Sequence, residues 1–366
     1  MIVLLDAFAI KNKKTGVSQY SIELIKNMAL LSKKTTFRVA IRPDLDENHL
    51  IYKMGKEFSN IRILKANIPA IGPLRDLKYL FFKNKLEYDI YHCLSSNLPL
   101  TMSKNSVVTI HDLKYLLFPE YLGKFGILKS IYLNAVFRHA VKKADGIITV
   151  SNSTRDDLIK IFAIKHGLER IKTVYEASFL KKGNEKKTAD KYFLYIGELR
   201  PHKNIGGLIE GFKLFKKNCR TSGDVKLKIA GKTHKTFYTN IRNRSDIEFI
   251  GYVDDKDLYS LYKNSIALCL ISNYEGFGLP ILEAMESKTA VITSNRSSTG
   301  EIAGDAALTV FPENMKEIAK AMESLFLDKK LRNDLIKKGT ERAGLFSWEK
   351  AAEETLSIYT EIYNRK

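Results

Sequence analysis

Short apolar runs alternate with longer stretches of helical periodicity along nearly the whole chain, and they do so in two series. Strand-like runs fall at 1–7, 37–41, 61–65, 90–94, 107–110, 146–150 and 172–175, with helical patterns at 18–32, 74–83, 127–144 and 152–162. The alternation resumes at 192–196, 226–230, 248–250, 266–271 and 290–293, with 308–310 as a short addition. Strands separated by helices pair in parallel, and a parallel sheet requires helices on both faces. The fold class is therefore α/β, with two doubly wound domains. At 366 residues each half is long enough to bury its own core. The stretch Lys181-Lys-Gly-Asn-Glu-Lys-Lys-Thr-Ala-Asp-Lys191 is polar and aperiodic and reads as a linker. The expected domains are 1–180 and 192–346, followed by a helical tail at 347–366. Thr154 is the expected cap of the helix at 152–162, with Asp156 and Asp157 in its first turn.

Composition narrows the setting. The three cysteines, Cys93, Cys219 and Cys269, are scattered and form no C-x-x-C. That argues against a disulfide framework or a thiolate zinc site and for a reducing cytosol. Met1-Ile-Val-Leu-Leu5 is apolar but ends at Asp6 without a basic flank, so it reads as a first strand rather than a secretory signal. No apolar run approaches the roughly 18 residues that span a bilayer. The expected location is cytoplasmic, free or peripheral on the inner face of the plasma membrane. Net charge is +19, with an excess of 12 in residues 1–180 and 7 in the rest. Anionic lipid, nucleic acid, an anionic substrate or simply a solvated lysine-rich surface would each account for it. No zinc finger, RNP-type aromatic pattern or continuous basic helix accompanies the charge, so a basic nucleic-acid-binding protein is the lesser alternative and no nucleic-acid partner is expected.

The chemistry concentrates in Ser272-Asn-Tyr-Glu-Gly-Phe-Gly-Leu-Pro-Ile-Leu-Glu283, which follows the apolar run Ser265-Ile-Ala-Leu-Cys-Leu-Ile271. Gly276 and Gly278 allow the backbone close to a ligand. Pro280 suits the first position of a helix, where its fixed φ fits and its missing N–H costs nothing. That reading puts Glu283 in the opening turn and Glu275 in the preceding loop. Carboxylates that accept from sugar hydroxyls, beside helix N–H groups that donate to phosphate, suit a nucleotide-sugar. Arg200 and Lys203 follow another strand and Gly197. Such fixed cations lower the barrier to forming a departing diphosphate.

These residues carry a resemblance. Glu275 and Glu283 resemble the E-x7-E pattern of retaining GT-B glycosyltransferases, especially family 4 and its mannosyltransferase-like group. Tyr195-Ile-Gly-Glu-Leu-Arg-Pro-His-Lys-Asn204 resembles that family's strand–glycine–Arg–Lys-Asn segment, and Val107-Val-Thr-Ile-His-Asp112 its amino-terminal His-Asp turn. Ala144-Asp-Gly-Ile-Ile-Thr-Val-Ser151 and Thr15-Gly-Val-Ser-Gln-Tyr20 follow suit, so five motifs run in the family's order. The resemblance implies a GT-B fold of two Rossmann-like domains facing a cleft, the first for the acceptor and the second for the donor. It also implies a last helix that crosses back to the first domain.

By the same resemblance the enzyme moves a hexose from a nucleoside-diphosphate sugar to a saccharide or lipid-linked saccharide, in bacterial surface-polysaccharide assembly, with retained configuration. Arg200, Lys203, Glu275 and His111 are the expected catalytic residues. Gly16, Asp112, Gly197, Asn204, Gly276, Phe277, Gly278, Leu279 and Glu283 are the expected donor-binding residues. A GT-B nucleotide-sugar epimerase is the alternative within the fold. Asp255-Lys-Asp257 spells a D-x-D, yet it lies in Val253-Asp-Asp-Lys-Asp-Leu258, which reads as a capped helix start, so no metal or other cofactor is expected. Several positions depart from the family pattern: Ser287-Lys-Thr-Ala290, Thr299-Gly300, Gln19 and Val174-Tyr-Glu-Ala177. The segments 68–88 (Arg75, Lys78, Lys83 and Lys85 among Leu77, Tyr79, Leu80, Phe81 and Phe82) and 116–143 mix basic with aromatic and apolar residues. Each suits either an anionic membrane surface or an ordinary amphipathic core helix.

Overall fold

The computed structural model describes residues 1–83, 86–102, 104–123, 126–181, 183, 188–231 and 245–365. Much of the expected linker (182 and 184–187) and Lys85 lie outside them. The chain forms two compact units, Met1–Glu176 with Ser347–Lys366, and Ala177–Phe346.

In chain order the first unit contains β1 (Ile2–Asp6), α1 (Gly16–Leu31), β2 (Thr36–Ile41), α2 (Leu50–Glu57), β3 (Ile61–Lys65), α3 (Pro73–Lys83), β4 (Ile90–Cys93), β5 (Ser106–Ile110), α4 (Lys114–Leu117), α5 (Gly126–Lys143), β6 (Gly146–Thr149), α6 (Asn152–Phe162) and β7 (Ile171–Thr173). The second contains β8 (Tyr192–Ile196), α7 (Ile205–Asn218), β9 (Lys226–Ala230), β10 (Ile247–Gly251), α8 (Asp255–Lys263), β11 (Ala267–Leu270), α9 (Leu279–Glu286), β12 (Ala290–Ser294), α10 (Ser297–Ala303), β13 (Leu308–Val310), α11 (Met315–Leu327) and α12 (Lys329–Ala343). The last helix, α13 (Trp348–Tyr363), belongs to the first unit.

Both sheets are parallel, in the orders β3-β2-β1-β4-β5-β6-β7 and β10-β9-β8-β11-β12-β13. The inner strands β4, β5, β6, β11 and β12 are buried at every residue, because helices cover both faces. The edge strands β3, β7, β10 and β13 are only partly buried. On one side of the first sheet, α3 and α5 close an apolar cluster with Tyr91, Cys93 and Val108. Elsewhere in this unit α13 packs along α1, with Trp348 edge-on to Tyr20. Buried His92 of β4 meets the Tyr359 hydroxyl of α13 at 2.5 Å and Thr109 at 2.8 Å. Burial lowers the His92 pKa to about 3, so this imidazole is neutral.

The structure corrects one local expectation and adds two features the sequence did not show. The cap of α6 is Ser151, whose hydroxyl accepts from the Thr154 amide; the helix therefore begins early enough to put Asp156 and Asp157 beyond its first turn. Helix α2 was not anticipated. It has eight residues, and its cap is His49, whose Nδ1 accepts from the Ile51 amide, so none of the usual Ser, Thr, Asp or Asn caps announces it. Arg75 does not sit on a basic surface. It is buried against Asp6 and donates to the carbonyls of Pro69 and Asn97.

Candidate active site

The strand order reverses between β1 and β4 and again between β8 and β11. Connections leave to opposite faces at such a point, and a crevice opens beyond the carboxyl ends of the two strands. In the second unit the loops leaving these strands are the Arg200–Asn204 turn after β8 and the segment from Ser272 after β11.

These loops bring Lys203 and Glu275 together. Lys203 closes a short 3-10 turn, Pro201–Lys203, and its Nζ lies 2.6 Å from both Oε1 and Oε2 of Glu275. The side chains are only 18% and 12% exposed, so the pair is poorly screened. The Ser272 hydroxyl also donates to Oε1, at 2.6 Å. The Glu275 amide donates to the Ser297 hydroxyl at 2.8 Å, and the Ser298 hydroxyl donates to the carbonyls of Glu275 and Phe277. Ser272, Ser297 and Ser298 were not singled out from sequence. Ser297 and Ser298 lie just past the end of β12, the strand beside β11, where the strand-end rule would have found them.

Arg200 is about half exposed, with Nε 3.3 Å from Glu198 Oε2. Gly197 and Gly231 follow the ends of adjacent strands, and a Cβ on Gly231 would come within 1.8 Å of the Gly197 carbonyl oxygen. Glycine there serves the close approach of two strand ends as well as any ligand. Asn204 takes a left-handed conformation (φ 52°) and donates its side-chain amide to the Pro312 carbonyl at 2.7 Å, tying the turn to the loop after β13.

The start of α9 differs from expectation. Gly278, at φ 112°, is the residue before the helix, so Leu279 takes the first helical position and Pro280 the second. Glu283 accordingly falls one turn in, and the first turn holds no acid. The Ile281 amide bonds the Gly278 carbonyl, whereas the amides of Gly278 and Leu279 have no partner among the described residues. The Phe277 ring is buried edge-on against Phe346, and Gly276 completes the bend. Glu283 is buried, and its Oε2 accepts from the Tyr262 hydroxyl of α8 at 2.7 Å. Burial raises its pKa to about 7; the Tyr262 hydrogen bond opposes the shift, and Glu286 and Asp255 add to it. Tyr262 is a further residue the sequence reading missed, since an aromatic on a helix ordinarily reads as core.

In the first unit, His111 follows β5. Its Nδ1 lies 3.2 Å from Glu176 Oε1 and its Nε2 lies 3.0 Å from the Leu94 carbonyl, with Tyr20 packed edge-on at 4.6 Å. Burial pushes the imidazole pKa down, but the Glu176 carboxylate overrides it and holds the group above its ordinary value. Glu176 is the partner the sequence reading missed. Asp112 accepts from the Lys114 amide and its ammonium. Gly16 opens α1, and a Cβ there would meet nothing within 4 Å, which leaves the helix terminus open above it.

Asp255 and Asp257 lie in the first turn of α8; Asp254 precedes the helix but makes no side-chain cap bond. Among the described residues no group of three or more His, Cys, Asp or Glu side chains could hold a metal.

Residues 15–177 match the family model Glycosyltransferase Family 4, and residues 177–342 match Glycosyl transferases group 1. The chain is 27% identical over 384 residues to O-antigen chain mannosyltransferase B of Escherichia coli, covering 98% of this chain and 99% of that protein. In fold it is similar to sucrose-phosphate synthase from Thermosynechococcus elongatus (TM-score 0.76, 18% identity, both chains covered in full). It is also similar to Anabaena HepE, solved with UDP and glucose (TM-score 0.69, 16% identity, 99% of this chain and 100% of that one). The chain therefore belongs to the GT-B glycosyltransferases, with a family 4 domain in its first half and a group 1 domain in its second.

Proposed function

We propose that this glycosyltransferase takes a hexose, mannose foremost, from a nucleoside-diphosphate sugar and adds it with retained configuration to a saccharide or lipid-linked saccharide acceptor of a bacterial surface polysaccharide. The observation that carries the donor reading is the low-exposure Lys203–Glu275 pair beyond β8 and β11, followed three and four residues after Glu275 by the amides of Gly278 and Leu279 at the start of α9, with buried Glu283 one turn into that helix. Mannose and surface polysaccharide are drawn from the similarity to the Escherichia coli mannosyltransferase. In this reading Glu283 accepts from ribose hydroxyls. Glu275 faces the sugar, and the helix-terminal amides meet the pyrophosphate. For the first unit the reading assigns His111, Asp112 and Gly16 to donor recognition on the family pattern alone.

Arg200 and Lys203 stabilise the charge that develops as the anomeric carbon–oxygen bond breaks and the nucleoside diphosphate departs. The acceptor hydroxyl attacks on the same face, and its proton passes to the leaving phosphate oxygen. The spacing rule for glycosidase carboxylates does not apply, because both glutamates bind the donor. No step needs a metal ion when two fixed cations and a helix terminus supply the positive potential. Three thiols that are buried and free fit a cytoplasmic setting.

A panel of GDP-, UDP- and ADP-sugars tested by thermal shift identifies the donor; a ligand at a hundred times its Kd adds about 2.7 kcal/mol. NMR of the product with a mannosyl donor should give the same anomeric configuration as in the donor. An inverted product refutes the stereochemistry. Epimerised sugar formed without acceptor refutes transfer as the function.

A further inference from the structure

Both ring nitrogens of His111 are already engaged within the first unit. Nε2 lies 3.0 Å from the carbonyl of Leu94, the residue after β4, and Nδ1 lies 3.2 Å from Oε1 of Glu176, beyond β7. His111 itself follows β5, so three strand ends converge on one ring. A carbonyl oxygen only accepts, and so does an ionised carboxylate. A neutral imidazole has one N–H and one bare nitrogen, and would set the bare nitrogen against an acceptor. The doubly protonated ring donates to both.

The surroundings favour that state. The side chains of His111 and Glu176 are 14% and 6% exposed, so water screens the pair little. Tyr20 of α1 packs edge-on to the imidazole, and its hydroxyl is fixed on Thr109 at 3.1 Å, which in turn meets His92. The other titratable groups around the ring add no competing charge. Burial holds the Tyr20 phenol well above its ordinary pKa, so it is neutral, and buried His92 is neutral too. Asp112 is bound to the amide and ammonium of Lys114. We propose that Glu176 is a positioning residue that locks His111 as an imidazolium, so that His111 serves sugar transfer through a fixed positive charge and not through a ring N–H to the sugar; this rests on the assignment of His111 to donor recognition under the proposed function. A charge held in a sheltered place acts on developing negative charge without touching it.

The tests are the ring nitrogen resonances of His111 in the full chain and the dependence of kcat on pH, with GDP-mannose as the probe donor. At pH 6.5, the ordinary histidine value, both ring nitrogens should be protonated in most molecules, and Glu176→Gln should reverse that. Adding GDP-mannose should leave both ring N–H groups on Glu176 and Leu94. Glu176→Gln should lower kcat about tenfold or more at pH 8 and change the donor KM less than about twofold. Its rate should recover toward the parent's at pH 5.5, because acid restores the charge, whereas a merely structural loss would persist. Glu176→Asp, which keeps the carboxylate, should stay nearer the parent. A singly protonated ring in the parent at pH 6.5 overturns the proposal, as does a ring N–H that transfers its hydrogen bond to the sugar. So does a Glu176→Gln profile parallel to the parent's when His111→Ala is slow. Parent-like turnover by His111→Ala overturns the assignment of His111 as well.

Discussion

Glu283→Gln should make the second unit more stable and the enzyme less active, and the gain should depend on pH. Glu283 is 9% exposed, with a pKa of about 7 against an ordinary 4.5, because burial disfavours its charged form. A difference of that size at 1.36 kcal/mol per pKa unit amounts to about 3 kcal/mol. The sign follows from a folded pKa above the unfolded one. Below pH 4.5 the acid is neutral in both states and costs nothing. Between pH 4.5 and 7 the unfolded chain releases the proton and the folded one keeps it, so stability falls as pH rises, and above pH 7 the loss levels off. Glutamine has the same shape, keeps an acceptor for the Tyr262 hydroxyl and has no proton to lose. The variant should therefore match the parent near pH 4.5 and exceed it by about 3 kcal/mol at pH 8.5, a shift of roughly 6–12 °C for a unit of this size. Scanning calorimetry of the two proteins at both pH values measures the difference. Donor affinity should move the other way, because an amide offers one acceptor oxygen where the carboxylate offers two. Equal destabilisation at both pH values would refute the argument, and unaltered donor affinity would remove Glu283 from the site.

Further predictions concern the other charges. Lys203→Met should lower kcat by about 10²- to 10³-fold, as loss of one fixed donor does at a developing oxyanion. The same change leaves Glu275 poorly solvated and unpaired at a cost of about 3 kcal/mol; adding Glu275→Gln should recover stability in a denaturation series but not rate. Arg200→Lys, at a half-exposed position, should change stability by no more than about 0.5 kcal/mol yet lower kcat, because an ammonium cannot bridge two phosphate oxygens. Glu176→Gln removes what holds the His111 pKa up, so an NMR titration should find it below the ordinary value. Since a raised histidine pKa stabilises below the unfolded pKa and loses that effect as pH rises, the parent's advantage over this variant should shrink from pH 5 to pH 8. A chelator should leave initial rates unchanged in steady-state assays.

What the sequence revealed and what it hid divide along a physical line. The parallel strands were legible because β-runs such as 107–110 and 290–293 are apolar or threonine at every position and bounded by helical periods, the pattern of a sheet covered on both faces. Lys203 and Glu275 were legible as strand-end residues, but not as partners: they are 72 positions apart, and no local pattern encodes that β8 and β11 are neighbours. Glu176 and Tyr262 were hidden for the same reason, each meeting its partner across 65 and 21 residues. The misplaced start of α9 had a local cause. Proline tolerates either of the first two helical positions, and the left-handed Gly278 chose the second. The α3 segment was left open between a membrane surface and a core helix, and the inward pair of Arg75 with Asp6 was hidden because it needs the fold to be seen.

That inward pair also helps separate structural charge from functional charge. Arg75 is consumed from all sides: its guanidinium serves Asp6 and two backbone carbonyls, and Asp6 also accepts from the Tyr91 hydroxyl. A buried pair whose groups are so fully satisfied holds the end of β1 in place and has little left to offer a ligand. Glu283 is the opposite case. It too is buried, yet Tyr262 is its one hydrogen-bond donor among the described residues, although a carboxylate can accept about four. Folding alone gives no reason to keep a carboxyl group there when a neutral residue would be more stable. A polar molecule that supplies the missing donors does give one, and the paired hydroxyls of a ribose have that chemistry. Lys203 and Glu275 fall between these extremes, balanced against each other and held by serines. A diphosphate could draw the ammonium away only while sugar hydroxyls replace it on the carboxylate, so binding of donor sugar and diphosphate should be coupled through this one ion pair.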